Sequence, residues 1–333
     1  MPEMPIAAAE AGARPRRRID AIDIARGVAL LAMAVYHFAW DLEFFGYAAP
    51  GMTAFGNWKL FARCIASSFL FLVGVSLVLA HAGGVKWPSY WRRLAMVAGA
   101  AALISAATYV ATPDTFIFFG ILHQIALASL LGLAFLRLPW LVTALLAVAV
   151  IAAPHYLRNA AFDHPALWWV GLSSRNPPSN DYVPLFPWFG AVLLGMAAAK
   201  LASAAGLFER LAGWRPGRWS GPFAFGGRHS LAVYLIHQPV LIGLLWLVAQ
   251  IAPPPPLTPT ARFTPACQAS CTQTRDADFC IAYCACALER LQSEALLDSV
   301  LEGGQDADDA SRLNEIAAAC TIASDMQPEG EGQ

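Results

Sequence analysis

Charged residues are scarce in this chain of 333 residues, and that scarcity excludes an ordinary soluble domain. Asp, Glu, Lys and Arg make up 14% of the sequence and hydrophobic residues 57%, whereas soluble domains carry roughly 25% charged residues. Cysteine is also rare before Pro253, where Cys64 stands alone. We therefore predict that lipid surrounds most of the chain, and no basic tract indicates binding of nucleic acid.

A cleavable signal peptide is excluded by the first apolar stretch. It runs from Ile22 to Phe45, contains His37 and Asp41, and has no small-residue cleavage site behind it. Residues 1–20 are rich in Ala, Pro and Arg and lack periodicity. We expect this segment to be a disordered, basic cytoplasmic leader.

Long apolar stretches predict an all-α fold, a polytopic membrane helix bundle of about seven transmembrane helices in residues 21–251. A spanning helix needs roughly 20 residues, so the stretch at 139–154 is the weakest of the set. The stretches lie near residues 22–45, 60–82, 90–111, 116–136, 139–154, 183–201 and 226–251.

The basic residues between these stretches predict the orientation of the bundle. They concentrate on alternate connections, which the positive-inside rule assigns to the cytoplasm. With an odd number of spans, the N-terminus is then cytoplasmic and the C-terminal tail lies on the periplasmic side of a bacterial inner membrane. The basic residues are Arg16, Arg17, Arg18, Lys86, Arg92, Arg93, Arg137, Lys200, Arg210, Arg215, Arg218 and Arg228.

The chain after the last stretch has a different character. A Pro-rich linker at 252–265 leads into an acidic tail at 266–333, and the spacing of the tail cysteines predicts a small helical hairpin stapled by disulfides. Their connectivity stays open, and a zinc module is the alternative, which the lack of tail histidines disfavours. The disulfide candidates are Cys267, Cys271, Cys280, Cys284, Cys286 and Cys320.

Ionisable residues inside an apolar stretch are costly, so each is a candidate for function. His37 and Asp41 are four residues apart and share one helix face. A carboxylate near an imidazole can fix its tautomer and raise its basicity, which would let His37 activate a hydroxyl or amine. The alternative is that both residues only bind neighbouring helices together.

Arg26 precedes His37 by about three helical turns, roughly 16 Å along the axis. A phosphate group could bind at Arg26 while the far end of the same molecule reaches His37. Alternatively, Arg26 sets the topology and extends to the lipid head groups.

Other polar residues of the bundle are weaker candidates for supporting or substrate-binding roles. Each also has a structural explanation as a hydrogen-bonded core residue, an interfacial anchor or part of an aromatic belt. For Arg63 we expect a polar acceptor or a carboxylate partner. Three intramembrane histidines suggest a zinc site, but no metal-ligand spacing is present and we expect no metal. The candidates are Arg63, His123, Gln124, Asp181, Trp188 and His237.

The stretch from Ile22 to Gln250 resembles the catalytic domain of the heparan-alpha-glucosaminide N-acetyltransferase family, in particular its short bacterial members. The Arg26 to His37 spacing also resembles that of inner-membrane acyltransferases that decorate surface polysaccharides. The motifs are Arg-Gly-Val-Ala-Leu-Leu-Ala-Met at 26–33, His-Phe-x-x-Asp-Leu at 37–42, Gly-Ile-Leu-His-Gln-Ile-Ala at 120–126, Pro-Leu-Phe-Pro-Trp-Phe-Gly at 184–190 and Gly-Arg-His-Ser-Leu-x-x-Tyr-Leu-Ile-His-Gln-Pro at 227–239.

This resemblance implies an enzyme that moves an acyl group, in the first instance acetyl, from cytosolic acyl-CoA to a sugar hydroxyl or amine on the extracytoplasmic side. It assigns Arg26 and Arg228 to coenzyme A, His37 to the catalytic base and Asp41 to orienting that base. The expected partners are acetyl-CoA or another acyl-CoA, an extracytoplasmic glycan or amino sugar, and the lipid bilayer, with assembly as a homo-oligomer left open.

Two other functions fit the same residues. A proton-coupled transporter or permease would use the intramembrane His and Asp residues as a proton relay, although we find no internal repeat of the kind that such transporters show. A membrane-anchored scaffold would carry its working part in the cysteine-rich tail. Protection by coenzyme A against thermal unfolding separates the enzyme from both alternatives.

Overall fold

The computed structural model describes residues 19–54, 56–256, 258–272, 274–302 and 307–326, and the expected leader falls almost entirely outside this part. The regular structure that it describes is helical. The helices of the bundle are, in chain order, α1 (Asp20–Phe44), α2 (Gly56–His81), α3 (Trp87–Ala111), α4 (Ile121–Phe135), α5 (Trp140–Leu157), α6 (Leu185–Ala204), α7 (Leu207–Gly213), α8 (Gly221–Arg228) and α9 (Ser230–Ile251).

Six of the helices in this described part are long and apolar enough to cross a membrane, namely α1, α2, α3, α5, α6 and α9. The chain is therefore a multi-pass membrane protein with an all-α bundle. The seventh apolar helix, α4, has only 15 residues. The sequence analysis assigned the short span to the wrong stretch: α5 reaches 18 residues, and α4 is the short helix.

α4 is short because the apolar residues before it do not continue the helix. Residues 116–120 are apolar but not helical, because their backbone is bound to side chains of α3. Ser105 donates to the carbonyl oxygen of Ile117 at 2.6 Å, and the Ile117 amide donates to the hydroxyl of Thr108 at 3.0 Å. In α5, by contrast, Pro154 lies in the last turn, and the helix continues through it to Leu157.

The centre of the bundle is the contact between α2 and α6, where two glycines bring the backbones together. A Cβ on Gly74 would clash with the carbonyl oxygen of Val192, and one on Gly195 would clash with that of Phe71. Small residues at such a crossing allow close helix packing in a lipid environment. The fully buried side chains around this crossing include Leu70, Leu193 and Met196.

A second close crossing joins α1 to α8. A Cβ on Gly27 would overlap the carbonyl oxygen of Phe223, and one on Gly227 that of Asp23. The predicted stretch at 226–251 is thus two helices, α8 and α9, separated at His229. Because α8 is fixed against the start of α1, α9 returns along α1 and contacts it.

We call the end of the bundle where α1 begins the leader end, and the opposite end the far end. At the leader end, Lys200 of α6 holds three segments together. Its Nζ donates to the carbonyl oxygens of Phe135 and Leu138 at 2.7 and 2.8 Å, and to the Thr143 hydroxyl at 2.9 Å. These bonds satisfy carbonyl groups at the end of α4 and in the connection to α5.

The tail forms a separate group of helices with its own apolar core. Disulfides join Cys267 to Cys284 and Cys271 to Cys280, which fixes α10 against α11 in a hairpin, and Cys286 to Cys320, which attaches α13. This pairing is one that the sequence left open. The tail helices are α10 (Pro259–Cys271), α11 (Ala277–Ser293), α12 (Leu297–Glu302) and α13 (Ala307–Asp325).

Candidate active site

Four polar side chains of α1 and α9 meet in the half of the bundle toward the far end. His37 Nδ1 lies 2.6 Å from Gln238 Oε1 and 3.1 Å from His237 Nε2. The amide nitrogen of Gln238 donates to Oδ1 of Asp41 at 2.6 Å. The sequence analysis named three of these residues and missed Gln238, whose only signal was its place between His237 and Pro239.

Apolar contacts one to two turns nearer the leader end fix the register of the two helices. Leu30 and Met33 of α1 are buried with Ile65 of α2, and Val233 and Tyr234 of α9 pack against them. We call these five residues the α1–α9 apolar cluster. It holds α9 so that the next turn brings its polar pair to α1.

The hydrogen bonds define which ring nitrogen of each histidine carries the proton. His237 Nδ1 lies 2.7 Å from the carbonyl oxygen of Tyr234, which can only accept, so Nδ1 is the donor and Nε2 carries the lone pair. The Gln238 amide turns its nitrogen to Asp41 and its oxygen to His37. Both neighbours of His37 Nδ1 are therefore acceptors, so Nδ1 holds the hydrogen and Nε2 is left as the basic atom.

The contact between Asp41 and His37 is indirect. The sequence analysis expected Asp41 to orient His37 from the next turn, whereas Gln238 lies between them and transmits the effect. Asp41 has no exposed surface, and its Oδ2 has no hydrogen-bond partner among the described residues. A buried carboxylate oxygen of this kind can accept a further hydrogen bond from a substrate or water.

His123 is bound by its own helix terminus and does not join the cluster. Its Nδ1 accepts from the amide of Gly120 at 3.2 Å, and its Nε2 lies 3.1 Å from the hydroxyl of Ser105. Nδ1 thus caps the start of α4, and Nε2 links α4 to α3. The neighbouring Gln124 is fully buried, and its side-chain N and O have no partner within the part of the chain that the structure describes.

Asp181 binds the N-terminus of α4 from the loop before α6. Its Oδ2 accepts from the Ile121 amide at 2.9 Å, at the positive end of the helix dipole. Burial raises the pKa of Asp181 to about 6, although this hydrogen bond favours the charged form. Burial likewise raises the pKa of the neighbouring Tyr182 to about 12, and the Tyr182 hydroxyl donates to the carbonyl oxygen of Trp168 at 2.6 Å.

Three other candidates lie away from the cluster. Arg63 is exposed on α2. The carboxylates expected as its partners were Asp41, Glu43 and Asp181, and these bind Gln238, the 51–53 loop and the start of α4 instead. Trp188 packs against the main apolar core. Arg228 is exposed at the end of α8, where its Nε donates to the carbonyl oxygen of Ala224 at 3.1 Å.

A cavity of about 590 Å³ lies at the leader end, which we call the larger cavity. Arg26 lines it, donating to Asp23 at 2.8 Å and to the hydroxyl of Ser76 at 2.5 Å. Arg93 of α3 also lines it, although the sequence analysis treated that residue only as a topology signal. Arg228 is not among the described residues of its wall.

The helical spacing around Arg93 is the sequence feature that could have identified it as a cavity-lining residue. Tyr90 and Val97, three residues before and four after, share its helix face and are packed against other helices. Arg92 and Arg93 are both exposed, but Arg93 lines the cavity and Arg92 does not. A cation on the packed face of a helix terminus is placed to line a cavity between helices. Within the described residues, no group of three or more His, Cys, Asp or Glu side chains could hold a metal ion.

A protein-family model matches the part of the chain that carries this site. The model described as "Heparan-alpha-glucosaminide N-acetyltransferase, catalytic" matches residues 18–239. The chain belongs to this family. The match covers α1 to α8 and the first turns of α9, so it includes Arg26, the four clustered side chains and Arg93, and it ends before the tail. Comparison with curated proteins and with solved structures gave no match. Family membership makes the chain a membrane acetyltransferase in general terms.

Proposed function

We propose that this acetyltransferase takes an acyl group, in the first instance acetyl, from acyl-CoA at the leader end and transfers it to a sugar hydroxyl or amine that enters from the far end. His37 is the general base. The observation that carries the proposal is the chain of contacts from Asp41 through Gln238 to His37 Nδ1, which leaves Nε2 of a membrane-embedded imidazole as a base.

The larger cavity fits the nucleotide end of the donor. Two guanidinium groups, from Arg26 and Arg93, line a space of about 590 Å³ at the end of the bundle that we assign to the cytoplasm. Arginine binds phosphate oxygens through paired, charge-assisted hydrogen bonds. Of its two acidic lining residues, Asp23 is bound to Arg26, which reduces the repulsion of a phosphate by Asp23, and Glu209 is exposed, so that solvent screens its charge.

The chemical step needs one base and correct positioning. His37 Nε2 takes the proton from the acceptor O–H or N–H, and the acceptor atom forms a bond to the thioester carbonyl carbon. The C–S bond then breaks, and the coenzyme A thiolate takes the proton back from His37 and leaves as the thiol. A thioester is already activated, so proximity and proton transfer supply most of the rate enhancement.

The α1–α9 apolar cluster lies between the larger cavity and His37. Arg26 and His37 are separated by roughly 16 Å along α1, and Leu30 and Met33 are the large buried side chains of α1 between them. We propose that the arm of the donor passes along α1 by displacing this cluster, which otherwise keeps water and ions from crossing between the two ends.

The acceptor is assigned to the far end because the basic connections lie at the leader end. The loop between α5 and α6 covers this end and presents Trp169, whose side chain is 38% exposed, for stacking on a sugar ring. The disulfide-paired tail follows α9 at the same end. We accordingly propose an inner-membrane location with a cytoplasmic N-terminus and a periplasmic tail.

Labelled acetyl-CoA and a panel of periplasmic sugars and amino sugars test the proposal with purified protein. We expect transfer by the unchanged protein and a loss of about 10²-fold or more in His37→Ala. Phe38→Ala, the adjacent and lipid-exposed position, is the matched control and should keep its activity. Equal transfer by His37→Ala would remove this histidine from the mechanism, and loss only in His237→Ala would assign the base to His237.

The same hydrogen-bonded chain favours one second candidate, a proton-coupled transporter. Two histidines and a carboxylate linked through an amide can pass a proton along α1 and α9. Thermal unfolding with and without coenzyme A separates the two functions, because a ligand that binds the folded protein raises its stability. No protection at millimolar coenzyme A would favour the transporter.

A further inference from the structure

A smaller cavity of about 220 Å³ lies beside the larger one, between α2, α3 and the body of α4. The two cavities share Ala80 and Arg93 in their walls. Any ligand bound at the leader end thus meets two adjoining spaces with one arginine between them.

The polar part of the smaller cavity is basic. His81 at the end of α2, Lys86 before α3 and Arg93 line it, and none of its described lining residues is acidic. The Nδ1 atom of His81 is buried and has no hydrogen-bond partner among the described side chains and backbone. Its ring is held edge-on by Tyr90, with 5.7 Å between the ring centroids.

Most of the remaining wall is apolar, with Leu77, Val97 and Ile125 among its residues. Basic groups next to an apolar wall act through a lower dielectric than they would in water, so an anion between them is bound more strongly. The hydroxyl of Ser89 on the same wall can donate to a phosphate oxygen. The smaller cavity therefore fits a compact group with two negative charges and several acceptor oxygens.

We propose that the smaller cavity binds a phosphate monoester, the 3′-phosphate of coenzyme A, while the larger cavity holds the diphosphate of the same molecule. This inference rests on the proposed function. Coenzyme A carries its monophosphate and its diphosphate on one ribose, and the two adjoining cavities with a shared arginine match that arrangement. The protein thereby distinguishes acyl-CoA from acyl donors that lack the 3′-phosphate.

Binding of coenzyme A and of dephospho-coenzyme A to the purified protein in nanodiscs of zwitterionic lipid tests the inference. A charge-assisted hydrogen bond contributes about 1.5–3 kcal/mol, so the unchanged protein should bind coenzyme A about tenfold or more tightly than dephospho-coenzyme A. Lys86→Ala and His81→Asn should reduce this ratio toward one by weakening only the binding of coenzyme A. Lys59→Ala, an exposed lysine at the other end of α2, should leave the ratio unchanged.

The outcomes separate the two proposals. Equal binding of both ligands by the unchanged protein overturns the 3′-phosphate site and leaves the proposed function intact. Absence of coenzyme A binding overturns the proposed function itself. If Lys86→Ala lowers the retention of added phosphatidic acid but leaves the ligand ratio unchanged, the smaller cavity binds a lipid phosphate and the inference is also overturned.

Discussion

The amide nitrogen of Gln238 on α9 lies 2.6 Å from Oδ1 of Asp41 on α1. This bond decides how the amide is turned, since a carboxylate only accepts, and it leaves the amide oxygen facing His37. The charge of Asp41 therefore acts on the imidazole through Gln238. The two helices supply one functional unit, and neither supplies it alone.

We predict that Gln238→Leu lowers kcat by about 10- to 100-fold, with little change in KM for the acyl donor. The leucine removes the nearer of the two acceptors of the His37 Nδ1 hydrogen and leaves the longer contact to His237, so part of the population adopts the other tautomer. Steady-state kinetics with acetyl-CoA measure the effect. The double variant Asp41→Asn with Gln238→Leu should be no slower than the slower single variant, because both act through one contact.

A purely structural role for Gln238 makes a different prediction. It would lower the yield or thermal stability of Gln238→Leu without changing the pH dependence of kcat. Gln238→Asn, which keeps the amide on a shorter side chain, should recover part of the rate if positioning is its function.

Gly74→Ala and Gly195→Ala should each destabilise the bundle by about 1–3 kcal/mol, since the new methyl group overlaps a backbone carbonyl oxygen of the facing helix. Thermal unfolding in detergent measures the loss. Gly99→Ala in α3 is the matched control, because a Cβ there meets no atom within 4 Å. If Gly99→Ala lost as much thermal stability as the two variants, the close crossing of α2 and α6 would be contradicted.

Lys200→Met should lower the melting temperature by several degrees through loss of three charge-assisted hydrogen bonds, with a net effect on the order of 2 kcal/mol. The carbonyl oxygens of Phe135 and Leu138 would lose their charged donor, and that of Phe135 would keep only the bond from the Leu138 amide. Lys59→Met removes an exposed lysine and should have little effect. Unchanged stability of Lys200→Met would show that these contacts do not stabilise the protein.

Asp181 should make stability depend on pH. Its pKa is raised from 3.8 to about 6, so the folded state binds a proton more tightly than the unfolded chain does. The resulting stabilisation is fully present below pH ~4 and is lost as the pH rises through about 6. The melting temperature of the unchanged protein relative to Asp181→Asn should therefore fall between about pH 4 and pH 6, and a constant difference over this interval would contradict the raised pKa.

The bundle could be predicted largely from apolar stretches, because lipid forces spanning segments to be long, apolar and helical. The prediction failed at residues 116–120, where apolar composition suggests helix but hydrogen bonds from Ser105 and Thr108 hold the backbone in a loop. Amino-acid composition alone does not show that side chains compete with helix formation for these backbone groups. The break at His229 was missed for a related reason, since it depends on the packing of α8 against α1.

The candidate site was only partly accessible from sequence. His37, Asp41 and His237 stand out because ionisable groups are rare in spans, whereas Gln238 is neutral and gains its role from the two residues it joins across helices. Arg93 was counted among the cations that set topology, and its place in the walls of both cavities follows from the packing of α3 and α2 against α4. Sequence thus identified unusual residues, and the structure identified their partners.

Transfer across a sealed membrane tests the central claim most directly. Proteoliposomes would carry labelled acetyl-CoA only inside and an amino sugar only outside, with the leader end facing inward in the fraction of molecules whose tail is cleaved by external protease in a parallel sample. The account predicts labelled product outside for the unchanged protein and none above background for His37→Ala. Product formed equally by both proteins, or only when donor and acceptor share one side, would contradict it.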